Sequence, residues 1–219
     1  SVEELNIDNV NAGKTLFELY DLTGKEKYRK AIDLVYSQIE QMPRTAEGNF
    51  WHKNIYPNQV WLDGLYMCQP FYMEYETRFH EKKNYDDIFR QFFNVVEHMR
   101  DPKTGLYYHA YDSSREMFWC DKVTGLSQNF WLRALGWYSM ALLDTLDKAD
   151  ASVGEPYERL KKVFVDLMDA MFVDVNPIPV KQAMNLMGYR CGSCRLPLDE
   201  MQPQARQHLE ELLRRHKLV

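Results

Sequence analysis

Apolar residues recur along most of this chain at intervals of three and four, the period of a helix with one buried face. The strict alternation of a half-buried strand is scarce. The pattern predicts helices over 9–21, 26–41, 61–79, 84–99, 129–147 and 156–172, with two shorter ones over 179–187 and 203–216. The first six read as three hairpins. The second helix of each opens on a polar turn and a tyrosine: GKEKYRKAI at Tyr28, EKKNYDDIF at Tyr85 and GEPYERLKKVF at Tyr157.

The hairpins repeat in more than their period. Gly48 to His52 (GNFWH) and Gly105 to His109 (GLYYH) share one internal spacing. The steps from Tyr28 to Tyr85, Gly48 to Gly105 and His52 to His109 are each 57 residues. The first helix of each hairpin begins in an equivalent way, with NID at Asp8, WLD at Asp63 and WLR at Arg133. Repeated helical hairpins stack into a solenoid or close into a ring. In a ring, equivalent helix starts face one mouth. Asp8, Asp63 and Arg133 are therefore expected to converge, with His52 and His109 delivered by equivalent loops.

Composition narrows the class without naming it. The chain has 219 residues, 45% apolar and 27% charged, with a formal net charge of −5. That is an ordinary globular balance. With no long basic run, a nucleic-acid partner is not expected, and no apolar run is long enough to span a bilayer. No charged-then-apolar leader is visible at Ser1. Four cysteines (Cys68, Cys120, Cys191, Cys194) in a chain of this size do not read as a disulfide scaffold, so a reducing, cytoplasmic setting is expected.

The candidate chemistry gathers in FWHKNIYPNQVWLDGLYM, residues 50–67. It places His52, Lys53, Tyr56, Trp61 and Asp63 around a loop-to-helix junction. Asp63 and Asp8 are candidates for a carboxylate pair. Two carboxylates in close approach raise one pKa and make that group a proton donor, whereas a helix N-terminus favours the anion. Asp8 also suits a cap on a helix starting at Asn9. Arg133 lies in FWLRALGW between Trp131 and Trp137. A guanidinium fork fits a carboxylate, and flanking indoles can cover a sugar face. The same residues also suit a core of two tryptophans with Arg133 paired to a structural acid. His52, Lys53 and His109 could bind hydroxyls or a carboxylate, or tune Asp63. No metal-binding spacing, nucleophile elbow, P-loop or dinucleotide fingerprint is present, and no cofactor is expected. Cys191-Gly-Ser-Cys194 is a single CxxC, a weak signal by itself.

Residues 5 to about 165 resemble the unsaturated rhamnogalacturonyl hydrolases and the related unsaturated glucuronyl hydrolases. The segments that carry the resemblance are LNIDNVNAGKTLFELYDLTG, PRTAEGNFWHKNIYPNQVWLDGLYMCQPFY, DPKTGLYYHAYD and TGLSQNFWLRALGWYSMALLDTL. The resemblance implies an all-α fold, an (α/α)6 barrel, of which this sequence holds about three hairpins. It also implies an oligosaccharide substrate left by a polysaccharide lyase, with a 4,5-unsaturated uronic acid at its non-reducing end. By this similarity Asp63 is the general acid/base and Asp8 its companion. His52, Lys53, Trp61, His109, Trp131, Arg133 and Trp137 fall on substrate-binding positions. Galacturonyl fragments of pectin are the favoured substrate. An incomplete ring exposes helix edges, so self-association is expected.

Beyond about Asp166 the sequence changes. FVDVNPIPVKQAMNLMGYRCGSCRLPLDEM resembles the C-terminal end of dihydrodipicolinate synthase, without that enzyme's barrel. The resemblances divide the chain into 1–165 and a helical tail, 166–219, and they meet within KKVFVDLMDAMFVDV. The meeting points either to a chimera of sequence assembly or to a real fusion of two remnants. Three readings follow: a hydrolase of unsaturated uronyl saccharides, a fragment that keeps the residues without the pocket, and a remnant of the aldolase. Lys181 in the tail is not read as catalytic.

Overall fold

The computed structural model describes every residue except 1, 171, 172, 176 and 217, and side chains other than those of 2 and 163–170. The chain divides into two compact units. The first comprises Ser1–Asp101 and Leu106–Leu160, and the second Pro102–Gly105 and Lys161–Val219.

The described residues are predominantly helical. The helices are α1 (Asp8–Asn11), α2 (Lys14–Thr23), α3 (Glu26–Gln41), α4 (Leu62–Phe79), α5 (Tyr85–Met99), α6 (Leu132–Lys148), α7 (Glu155–Ala170), α8 (Ile178–Leu186) and α9 (Pro203–Arg215). Most bounds lie within a few residues of those the periodicity predicts. The last two residues of the helix expected over 156–172 lie outside the described set.

Two local readings need correction. The helix expected over 9–21 is two helices. At the break the Gly13 N–H bonds to the Val10 carbonyl at 2.8 Å, a tighter turn than the α-helical ladder allows. The scarcity of alternation also hid a ribbon. Strand β1 (Gln59–Trp61) pairs antiparallel with β2 (Ala110–Asp112), Val60 opposite Tyr111. Three residues per strand are too few to leave a periodic signature.

Helix α4 is the centre of the first unit. It packs against α1, α3, α5 and α6. Leu62, Leu65, Cys68, Phe71 and Met73 are buried on several of its faces, as expected of a helix with neighbours all round. Helix α5 buries only one stripe, Ile88, Phe89, Phe92, Val95 and Met99. Two buried carboxylates fix the connections. Glu76 accepts bonds from the Tyr36 hydroxyl (2.7 Å) and from the Asn84 amide and backbone N–H (both 2.9 Å), joining α3, α4 and the start of α5. Asp112 accepts backbone N–H bonds from Ser114, Glu116 and Met117, folding the loop after β2 onto itself. A buried charge persists only when it is satisfied in this way.

In the second unit, α8 and α9 share a small core of Ile178, Ala183, Met201, Leu209, Leu212 and Leu213. The loop after α8 is pinned to it by Asn185, which bonds the Cys191 N–H and the Gly192 carbonyl. Lys181 donates to the Ser193 carbonyl at 2.6 Å, a structural contact. All four cysteines carry free thiols.

Candidate active site

The sequence repeat is a repeat of backbone construction. Gly48 and Gly105 both take positive φ, +99° and +74°, which glycine adopts without strain. Each introduces a short return of chain that ends at a histidine. The carbonyl of that histidine accepts an N–H from the residue before an aspartate or its helix. Ile7 donates to His52 at 3.3 Å, and Leu62 donates to His109 at 3.0 Å. A third turn of the same make, unmarked by a histidine, closes at Gly125 (φ +78°), where the Asp121 N–H meets the Leu126 carbonyl as the Asp101 N–H meets that of Leu106.

Asp8 opens α1 but does not cap it. The Asn6 side chain takes the Asp8 N–H at 3.0 Å. The Asp8 carboxylate instead lies 2.8 Å from Lys53 Nζ and 3.3 Å from His52 Nε2. Burial pushes this carboxyl up, but the bonds from His52 and Lys53 outweigh it and bring it down to about 2. The same bond holds the Lys53 ammonium above its usual range. Asp8 is thus held by two cationic partners from the loop that ends at His52 and Lys53.

His52 is 2% exposed. Its Nδ1 has no partner and faces Gly64, where a Cβ would sit 2.9 Å from Nδ1 and 2.6 Å from Ile7 Cδ1. Only glycine after Asp63 lets His52 approach α4 this closely. The imidazole stacks on the Trp61 indole at 4.3 Å, and Tyr56 stacks on Trp61 at 5.4 Å. The Trp61 N–H donates to Gln59 Oε1 at 3.1 Å. Trp61 is thus stacked with two protein rings and half-buried.

Asp63, the second residue of α4, is 8% exposed. Arg133 Nη2 donates to its Oδ1 at 3.2 Å. The Arg133 side chain is 59% exposed and lies over the Trp131 ring at 3.9 Å. Its place in the first turn of α6 is unfavourable for a cation; Asp63 and the indole face compensate. His109 meets Trp131 edge-on at 5.9 Å. Trp131 is 44% exposed, so one side of this indole remains available. Trp137, one to two turns further along α6, packs on Tyr66 of α4 at 4.6 Å. Lys14 crosses the Tyr66 ring at 3.6 Å and donates to the Tyr66 carbonyl at 2.7 Å. Burial brings Lys14 down to about 8 despite the opposing pull of Asp144.

The structure thus forms two adjoining clusters: Asp8, His52, Lys53 and Trp61 at the α1 side, and Asp63, Arg133, Trp131 and His109 at the α6 side. Gly64 against His52 joins them. Trp137 stands beside the second cluster with Tyr66 and Lys14. Sequence reasoning missed Gln59, Tyr66 and Lys14 as site residues. Tyr66 lies three positions after Asp63 in α4, the helical spacing that could have found it; Lys14, beyond the break at Gly13, has no such signal. A cleft of about 530 Å³ lined by Lys14, Glu18, Glu74 and Asp144 lies further along α2, α4 and α6 and does not include Asp63.

A model of glycosyl hydrolase family 88 matches residues 1–173. The chain belongs to that family. The unsaturated rhamnogalacturonyl hydrolase YesR of Bacillus subtilis is 30% identical over 148 residues, covering 65% of this chain and 41% of YesR. A glycoside hydrolase from family 105 of Clostridium acetobutylicum superposes with a TM-score of 0.74 at 47% identity, over 82% of this chain and 50% of that one. This family 88 chain therefore spans about half the length of those relatives. A dihydrodipicolinate synthetase model matches residues 135–216. There, a 4-hydroxy-tetrahydrodipicolinate synthase of Clostridium perfringens is 44% identical over 69 residues, 31% of this chain and 24% of that enzyme. The family 88 and synthetase matches overlap over 135–173.

Proposed function

We propose that this family 88 chain hydrolyses saccharides ending in a 4,5-unsaturated uronic acid, with unsaturated galacturonyl rhamnose as the favoured substrate. The observation that carries the reading is a nearly buried carboxylate, Asp63, bridged to an exposed, indole-backed guanidinium, Arg133. An anionic sugar ring needs a cation for its carboxylate, a flat apolar surface for its face and an acid beside its reactive carbon. Arg133, Trp131 and Asp63 offer these in that order. In the proposed reaction Asp63 protonates C4 of the enol ether and assists water in adding at C5. The resulting hemiketal collapses and releases the aglycone. Asp8, held as an anion, stabilises positive charge that develops on the ring. His52 and Lys53 orient Asp8, and His109 and Trp137 border the sugar.

Loss of the absorbance of the conjugated double bond tests this directly. The native chain is expected to bleach an unsaturated rhamnogalacturonan disaccharide, and Asp63→Asn is not. A second reading rests on length, since the chain covers 50% of its structural relative. It is then a family 88 fragment that keeps the residues without a working pocket. Folded native chain that leaves the absorbance unchanged would establish that reading. Leu132 and Met140 of α6, 83% and 39% exposed, are the proposed surface for self-association, which light scattering would detect. Lys181 of the second unit is tied to the Ser193 carbonyl, which does not favour an aldolase lysine there.

A further inference from the structure

Asp8 and Asp63 differ in the number and exposure of the cations that hold them. Lys53 and His52 are 23% and 3% exposed at the side chain, and both come from one loop. Asp63 is held by a single side chain on another helix, through one bond of 3.2 Å. Among the described residues, the other N–H groups of the Arg133 guanidinium meet no protein acceptor, and the side chain is 59% exposed. Asp63 is only 11% exposed at its side chain. The charged and titratable groups on the elements around the first turn of α4 are Arg133 on α6, Asp8 on α1, and His52, Lys53 and His109 on the loops. His52 and Lys53 are already engaged by Asp8.

We infer that Arg133 is a shared cation: it neutralises Asp63 in the free protein and passes to the substrate carboxylate on binding, so that the substrate itself frees Asp63 to take up the proton it later delivers. This rests on the hydrolase reading above and goes beyond it. A guanidinium on an indole can pivot to a new carboxylate without losing its stack, and a bidentate partner is better than the single bond it gives up. Asp63 is then left buried without its cation, the situation in which the neutral acid is favoured over the carboxylate. The proton comes from solvent and is returned to C4 of the sugar, so the step balances. A ligand without a carboxylate leaves Arg133 on Asp63. The arrangement makes the uronic acid group a requirement for proton loading as well as for binding.

Proton uptake tests this without turnover. Calorimetric titration with methyl galacturonoside, a saturated uronate, is run near neutral pH in two buffers of different ionisation enthalpy. Native chain is expected to take up about one proton per ligand bound. Asp63→Asn should bind the same ligand with no uptake, and Arg133→Gln should lose both tight binding and uptake. Neutral methyl galactoside should cause no uptake in any of them. Binding by the native chain without proton uptake overturns the inference. So does uptake that survives in Asp63→Asn, which would place the proton elsewhere, and so does absence of uronate binding. Bleaching of the unsaturated disaccharide in the same sample is read separately. Turnover without uptake sinks the shared cation and leaves the hydrolase standing; uptake without turnover does the reverse.

Discussion

Asp8 and Asp63 lie in the first turns of α1 and α4, two helices that pack together, yet the protein holds them in opposite ways. Asp8 is anchored by a histidine and a lysine from the loop beneath it and stays an anion down to about pH 2. Asp63 is nearly buried and leans on one exposed arginine. The difference teaches that a carboxylate's role is set by what surrounds it, since both begin helices in equivalent sequence contexts. A fixed anion suits charge stabilisation, and a buried acid with a removable cation suits proton transfer.

The comparison can be broken most sharply by mutation of the two acids. Asp63→Asn is expected to lower turnover of the unsaturated disaccharide by about 10²–10⁴-fold, with unchanged helical circular dichroism. An equal loss of helicity would make Asp63 structural.

The tryptophans before α4 and α6 form a second contrast. Trp61 is half-buried and stacks with His52 and Tyr56, whereas Trp131 is 44% exposed. Trp61→Leu should cost about 2 kcal/mol in denaturant unfolding, from the lost stack and contact area. Trp131→Leu should raise KM with little change in stability. Reversed effects would mean that Trp61, and not Trp131, faces the sugar.

Gly64→Ala probes the seam between the clusters. The added Cβ meets Ile7 at 2.6 Å and His52 at 2.9 Å, so a destabilisation of about 1–3 kcal/mol is expected. Thermal melting reads it, and an unaltered midpoint would show that His52 has room to move.

The smallest effect concerns pH. A carboxyl lowered from 3.8 to about 2 binds fewer protons in the folded chain than in the unfolded one. Its contribution is full above 3.8 and is lost as pH falls through about 2. Because the pair is partly exposed, the amount is below about 1 kcal/mol. Lys53→Met should therefore lower the melting midpoint slightly at neutral pH and flatten the acid limb, with the two chains converging as pH falls to about 2. A steeper acid limb in that variant would contradict the assignment.

Much of the site was legible because the repeat is written in residues with narrow structural uses. Gly48 and Gly105 mark left-handed turns, and the histidines four positions later sit where those turns deliver the chain. The shared offset between Tyr28 and Tyr85 set the two hairpins in register. Other features escaped for physical reasons. The β1–β2 ribbon joins residues about fifty positions apart through three pairs, too few to pattern a sequence. The break at Gly13 depends on a side chain of α4, since a Cβ there would meet the Phe71 ring at 2.8 Å. Trp61 and Trp131 occupy matching positions in the sequence, and only packing separates the half-buried one from the exposed one.

By itself the sequence determined the helical period, the hairpin repeat and the set of acids, bases and rings at the helix starts. These depend on local spacing and on intrinsic preferences of residues, which act within a few turns. The tertiary structure alone decided which cation meets which carboxylate: Lys53 and His52 go to Asp8, forty-five and forty-four residues away, and Arg133 goes to Asp63, seventy residues away. Pairings at that range follow from how α1, α4 and α6 pack, because electrostatic partners are chosen by distance in space and by burial, neither of which is written in the order of the chain.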